Sequence, residues 1–266
     1  MAIITISRGT YSGGKTLAEC LGKTLGYRLL SREELVQATA RRFGASQDEL
    51  AAALSHKPGF FDRHRFTRRG YVICVQAELA SAVQGDNVVY QGQAGHLLLS
   101  KVPHHLRLKV VADMEYRIKA AMEHTNCTRD RAIQYIKELD EARDGWVRWV
   151  YGVDRNDPAT YDFVINLEHF PISSACKTVA DIVQRDFQTT PESQRMLDDL
   201  VVTSGIKARL AMDRTIPDDC LEIEARDGVI TITGTARSLD DAKKVRDLVH
   251  GIPGVRRVES RMETSP

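Results

Sequence analysis

The chain has 266 residues, 42% of them apolar and 27% charged, with a formal charge of +1, which suits one large globular domain or a medium one plus a small one. That charge supplies no overall pull towards nucleic acid or an anionic bilayer, and no apolar run approaches the roughly 20 residues that span one. Five scattered cysteines without a C-x-x-C pair argue against a disulfide framework or zinc site and for a reducing compartment, so the expected location is the cytoplasm. Ile3 to Ile6 is too short for the core of a signal peptide and runs straight into a glycine loop.

That opening stretch dominates the reading. Ile3-Ile4-Thr5-Ile6 suits a buried strand, and Gly9-Thr10-Tyr11-Ser12-Gly13-Gly14-Lys15-Thr16 fits G-x-x-x-x-G-K-[ST]. Leu17, Cys20, Leu21, Thr24 and Leu25 then recur at helical spacing up to Gly26. Strand, glycine loop and helix together surround a phosphate with backbone N–H groups and the positive end of a helix. In that arrangement the residues from Gly9 to Thr16 hold a nucleotide, Lys15 reaches its outer phosphates and the Thr16 hydroxyl ligands Mg²⁺.

Further along, a short strand near Leu29 meets a helix capped by Ser31, with Glu34 three residues on. The segment from Gly44 to Gly70 reads as mostly helical. It holds a cluster of aromatics and arginines, Phe60 to Arg69, suited to a small nucleotide or to a solvated face; no nucleic acid partner is expected. Val72 to Val83 reads as a helix. Asn87 to Tyr90 reads as a strand ending in the small-residue loop Gln91-Gly92-Gln93-Ala94-Gly95-His96, with His96 a helix-start or packing residue in preference to a catalytic base. Strands at 106–111 and 161–166 alternate with helices at 114–124, from 128 onward, and 173–187. Such alternation implies an α/β fold with a parallel sheet covered on both faces.

Residues 2–187 resemble the cytidylate-kinase-like branch of the P-loop nucleoside monophosphate kinases. The matching pieces are Ile4 to Arg8 with Gly13-Gly14-Lys15, Ser31 to Leu35, Val88 to Gly92, Asp113 to Arg117, Asp140 to Arg143 and Tyr161 to Asn166. The resemblance implies an ATP- and Mg²⁺-dependent transfer of a phosphoryl group to a nucleoside monophosphate, CMP- or dCMP-like. It places Lys15, Arg143 and Arg148 in catalysis, the two arginines in or beside a mobile lid, and Arg32 and Gln93 at the acceptor. The chain departs from the family pattern at three points. Ser31 stands where an acidic residue is usual, Gln93 where an arginine holds the acceptor phosphate, and the 88–90 strand ends without an acid for Mg²⁺. A nucleotide-binding regulator with altered or lost acceptor chemistry is therefore the alternative.

After a polar linker at 188–194, the segment 195–263 reads as α-β-β-α-β. It comprises a helix over 196–212, strands at 221–225 and 229–233 about an Asp227-Gly228 turn, a helix capped by Ser238, and a strand at 255–259. With Gly228 to Gly234 and Gly251 to Val258 it resembles the BON domain. That resemblance implies a module binding a small ligand, a protein or a lipid surface, here as the sensor or docking part of the chain. A scaffold in which this module is the working end is a third reading.

Overall fold

The structure, a computed structural model, describes residues 2–55, 65–213 and 221–264, with the backbone alone for 65–67. The chain divides into two compact units: Met1–Glu34, Leu54–Phe61 and Gly85–Thr189 form one, and Leu35–Ala53, Asp62–Gln84 and Thr190–Pro266 form the other. Most of the aromatic and arginine cluster beginning at Phe60 lies outside the described residues. Among the described residues no helix is long and apolar enough to cross a membrane.

In the first unit, β1 (Ile3–Arg8), β2 (Arg28–Ser31), β3 (Val88–Gln91), β4 (His105–Val111) and β5 (Phe163–Asn166) make a parallel sheet in the order β2-β3-β1-β4-β5. β1 is central and buried on both faces, which is why it reads as a continuous apolar run and not as an alternation. The helices α1 (Gly14–Leu25) and α8 (Ile172–Asp186) carry Leu17, Ala18 and Leu21, and Ala175, Cys176, Val179 and Val183, into the core with Ile4, Ile6, Leu106 and Leu108. Their i, i+3, i+4 spacing makes the one-sided stripe that a sheet-covering helix needs. α5 (Gly95–Leu98), α6 (Met114–Thr125) and α7 (Arg129–Tyr151) complete the unit.

α1 and α8 are also joined by a disulfide, Cys20–Cys176, with Cα atoms 6.1 Å apart. The cysteine pattern argues against a disulfide framework and for a reducing compartment, and this single bond runs against that reading. The partners are 156 positions apart, so no local spacing pattern marks them. Cys74 and Cys127 are free thiols.

The second unit contains α2 (Arg32–Phe43) from Leu35 onward, α3 (Gln47–Ala53), α4 (Arg65–Val83) and α9 (Pro191–Met212), then β6 (Leu221–Arg226), β7 (Val229–Ala236), α10 (Leu239–His250) and β8 (Arg257–Thr264). α9 begins at Pro191, ahead of the expected Met196, because Thr190 and Ser193 cap its first turn reciprocally. β6 and β7 pair antiparallel about Asp227 and Gly228, both at positive φ, the geometry of a tight type I′ hairpin. β8 runs parallel to β7 and starts later than expected. One face of α9 puts Val202, Ile206 and Leu210 against Ile223, Ile230, Ile232, Val245 and Val249. Another puts Ala208 against Cys74 and Ala77 of α4.

Two buried histidines give the first unit a sensitivity to acid. On β4, His105 is 3% exposed; its Nε2 accepts from the Thr5 hydroxyl at 2.7 Å and its Nδ1–H donates to the Leu99 carbonyl. His96 lies against the Tyr161 ring, with centroids 4.4 Å apart. Burial pushes both below the ordinary 6.5, to about 4 for His105 and about 3 for His96. Between pH 4 and 6.5 the unfolded chain therefore holds more protons than the folded one, so stability rises with pH in that window and is lost on acidification. At pH 5 the expected loss relative to pH 7 is about 2 kcal/mol per histidine. Urea transitions at the two pH values check this, and equal midpoints would contradict it.

Candidate active site

The loop joining β1 to α1 is held from several sides. Ser12 Oγ donates to the carbonyls of Gly9 at 3.0 Å and Val110 at 3.3 Å, so its side chain pins the loop. Tyr11 has φ +59°, uncommon for a residue with a side chain, and its ring packs with Ile118, Ala121, Ala132 and Ile136. Gly13, at φ +84°, precedes α1 without any side-chain cap on the helix. The first amides of a 12-residue helix thus face the loop as an anion site. A Cβ on Gly14 would lie 2.8 Å from the Arg8 side chain, so only glycine lets Arg8 pass there. Lys15 and Thr16 are exposed beyond it.

Asp140 of α7 closes over the loop. It accepts from the Thr10 backbone N–H at 3.1 Å and the Thr10 hydroxyl at 2.8 Å, and it pairs with Arg117. Arg117 Nε donates to the Thr10 carbonyl at 2.7 Å, and Arg143 donates to the Thr10 hydroxyl at 2.8 Å. Burial by itself would raise the Asp140 pKa, but the Thr10 hydrogen bonds and the Arg117 charge hold it below the usual carboxylate range.

Beside this contact, at the C-terminal edge of β1 and β3, lies a cavity of about 100 Å³. Its lining includes Ser7, Arg8, Arg32, Glu33, Gln91, Gln93, Arg143 and Arg155. Arg155 is 4% exposed and firmly seated. Its Nε donates to Asp144 at 2.6 Å and its Nη1 to the Arg8 carbonyl at 3.2 Å. Its own carbonyl accepts from Lys109 Nζ at 3.2 Å and from the Tyr161 hydroxyl at 2.8 Å. Burial lowers Lys109 to about 8, with repulsion from Arg155 adding to it. Arg143 falls to about 10 through burial and then through repulsion from Arg8, and Arg8 is itself lowered by burial. Four guanidiniums around one small cavity favour a multiply charged anion in their midst.

Of the residues expected at the site, the structure brings Arg32, Gln93 and Arg143 to this cavity, next to the loop that carries Thr10. Arg148 is exposed on α7 and does not line it. Arg8, Gln91, Arg117, Asp140 and Arg155 received no role from the sequence. Asp140 and Arg117 lie in two of the stretches that carry the resemblance, 140–143 and 113–117. Arg155 carries no local signal, since a lone arginine between Asp154 and Asn156 reads as a polar loop.

Residues 3–169 match the model of the Cytidylate kinase-like family, and residues 198–266 match the BON domain. A cytidylate kinase of Methanothrix thermoacetophila is 26% identical over 164 residues, 62% of this chain and 87% of that protein. One from Staphylothermus marinus is 24% identical over 186 residues, 70% of this chain and 98% of the other. At the other end, the osmotically-inducible protein Y of Escherichia coli is 30% identical over 66 residues, 25% of this chain and 33% of that one. An uncharacterized protein from Eubacterium ventriosum shares the fold with a TM-score of 0.53 at 19% identity, covering 70% of this chain and 99% of that one.

Proposed function

The chain belongs to the cytidylate kinase-like family, and from that premise we propose that it transfers the γ-phosphoryl group of ATP to a nucleoside monophosphate of the CMP type. The observation that carries this reading is the cavity ringed by Arg8, Arg32, Arg143 and Arg155, which suits an acceptor phosphate. The transferred group spreads negative charge over its oxygens, and fixed cations in a site shielded from water stabilise that charge. Arg155 and Arg8 supply the charge missing at Gln93, where the family pattern has arginine. The uncapped start of α1 suits the phosphates of ATP, with Lys15 on the outer ones. Thr16 is the protein donor offered to Mg²⁺, which takes its remaining ligands from phosphate oxygens and water. Residues 1–187 would carry this chemistry and 195–263 would act as sensor or docking module.

A second reading, a nucleotide-binding regulator, draws on the Asp140 carboxylate seated on the Thr10 amide, where a loop N–H is already engaged. Coupled ADP release with ATP, Mg²⁺ and CMP, dCMP, UMP, AMP or GMP in turn separates the two, with a Lys15→Ala protein as background. Acceptor-dependent release by one of them is the expected result. ATP binding without any such release would replace the kinase with the regulator.

A further inference from the structure

Lys109 lies on β4 directly across the sheet from Ser7 of β1, a residue that lines the arginine cavity. It is 4% exposed, and a buried ammonium is costly unless an opposite charge meets it. Among the described residues no carboxylate lies within ion-pair distance of it. The ammonium donates to two neutral oxygens instead, the Arg155 carbonyl at 3.2 Å and Asn156 Oδ1 at 3.3 Å. Its remaining neighbour is the Tyr161 ring, whose centre is 5.4 Å away. A buried charge placed this way beside a site calls for a function.

The charges around Lys109 are already engaged. Asp144 takes Arg155 Nε and the Asn156 side-chain amide, Asp140 takes Thr10 and Arg117, and Asp154 accepts from the Asn156 backbone N–H. His96 and Tyr161 are neutral near pH 8, since burial lowers the one and raises the other. Burial, with repulsion from Arg155 added, brings Lys109 itself to about 8.

Arg155 is the residue on which this ammonium acts. Its carbonyl meets Lys109 and Tyr161, and its guanidinium lines the cavity. A charge-assisted hydrogen bond is roughly twice as strong as a neutral one, so the hold on that carbonyl weakens when the proton leaves. The added charge also repels Arg155, and an anion among the guanidiniums offsets that repulsion. Resting on the reading of this cavity as the acceptor site, we propose that Lys109 is a positioning residue whose charge holds Arg155 in place, so that the acceptor phosphate and the Lys109 proton favour each other's binding.

The bound anion raises the proton affinity of Lys109, so affinity for the anion is full below about 8 and falls as pH rises through it. A phosphate monoester loses its second proton near about 6, below that window. The test measures calorimetric Kd at pH 7, 8 and 9 for CMP and for sulfate, a dianion throughout, with thermal unfolding of each protein. Wild type is expected to lose about 10-fold in affinity for both between pH 7 and pH 9. At pH 8, heats in buffers of different ionisation enthalpy should show about half a proton taken up per anion bound. Lys109→Met is expected to bind about 10-fold more weakly than wild type at pH 7 and to change less than about 2-fold up to pH 9. Lys109→Arg keeps its charge across the range and should also change less than about 2-fold.

Equal wild-type affinities at pH 7 and pH 9 would overturn the inference. So would a wild-type pH dependence in either variant, since a merely structural lysine would weaken binding and leave that slope in place. Sulfate bound with the expected dependence, without phosphorylation of any monophosphate, would keep Lys109 and remove the kinase. Turnover of a monophosphate with a flat binding profile would do the reverse, and binding of neither anion would remove both.

Discussion

Arg155→Met is expected to lower kcat/KM about 1,000-fold with whichever monophosphate the protein phosphorylates, while the Kd for ATP changes less than about 3-fold. Removing one preorganised donor to developing charge typically costs 100- to 1,000-fold, and an arginine at a transferring phosphoryl group can be worth still more. Arg155 belongs at the upper end because its position is set in advance. Asp144 holds the guanidinium, and Lys109 and Tyr161 hold the backbone behind it. Little rearrangement is then needed when charge develops. Arg155→Lys is expected to recover less than a tenth of the activity, since an ammonium cannot span Asp144, the Arg8 carbonyl and an anion in one plane. Thermal unfolding of each variant accompanies the kinetics, because the exchange also releases Asp144. A rate within 3-fold of wild type in a folded Arg155→Met protein would remove Arg155 from the mechanism.

The largest effect on stability is expected from the bond between α1 and α8. Closing a loop of 156 residues restricts the unfolded chain by about 5 kcal/mol in the chain-entropy description. Cys176→Ser should therefore shift the urea midpoint downwards by that equivalent, and dithiothreitol should bring the wild type to the same midpoint. Thiol titration in denaturant should find two more reactive groups after reduction. Identical transitions with and without reductant would show that the pair does not contribute.

The parts of this protein legible in the sequence are those whose logic is local. The loop from Gly9 to Thr16 announces itself because backbone conformation, phosphate contact and helix start fall within eight consecutive residues. The Asp227-Gly228 hairpin is similarly self-contained. Arg155 was not legible, because its role comes from Asp144, Lys109 and Tyr161 converging on it from separate elements. The disulfide was hidden for the same reason. Nor does any pattern in 35–53 or 62–84 reveal that these helices fold with the C-terminal segment. Their meeting with α9 depends on small residues, Cys74 and Ala77 against Ala208, and small residues carry almost no periodic signal. The departure at Gln93 is visible in the sequence, but the arginines that line the same cavity come together only in three dimensions.

One helix has a thermodynamic consequence. α2 starts with Arg32 at the arginine-lined cavity, and from Leu35 onward the same unbroken helix belongs to the unit that contains the BON match. If the cavity takes the acceptor as proposed, a ligand or partner that favours one placement of that helix over another would alter the free energy of acceptor binding. Reciprocity then requires the acceptor to alter the affinity for that partner by the same factor. On the proposed reading of that cavity, the amount of partner held by the second unit would then report monophosphate concentration as much as control its use.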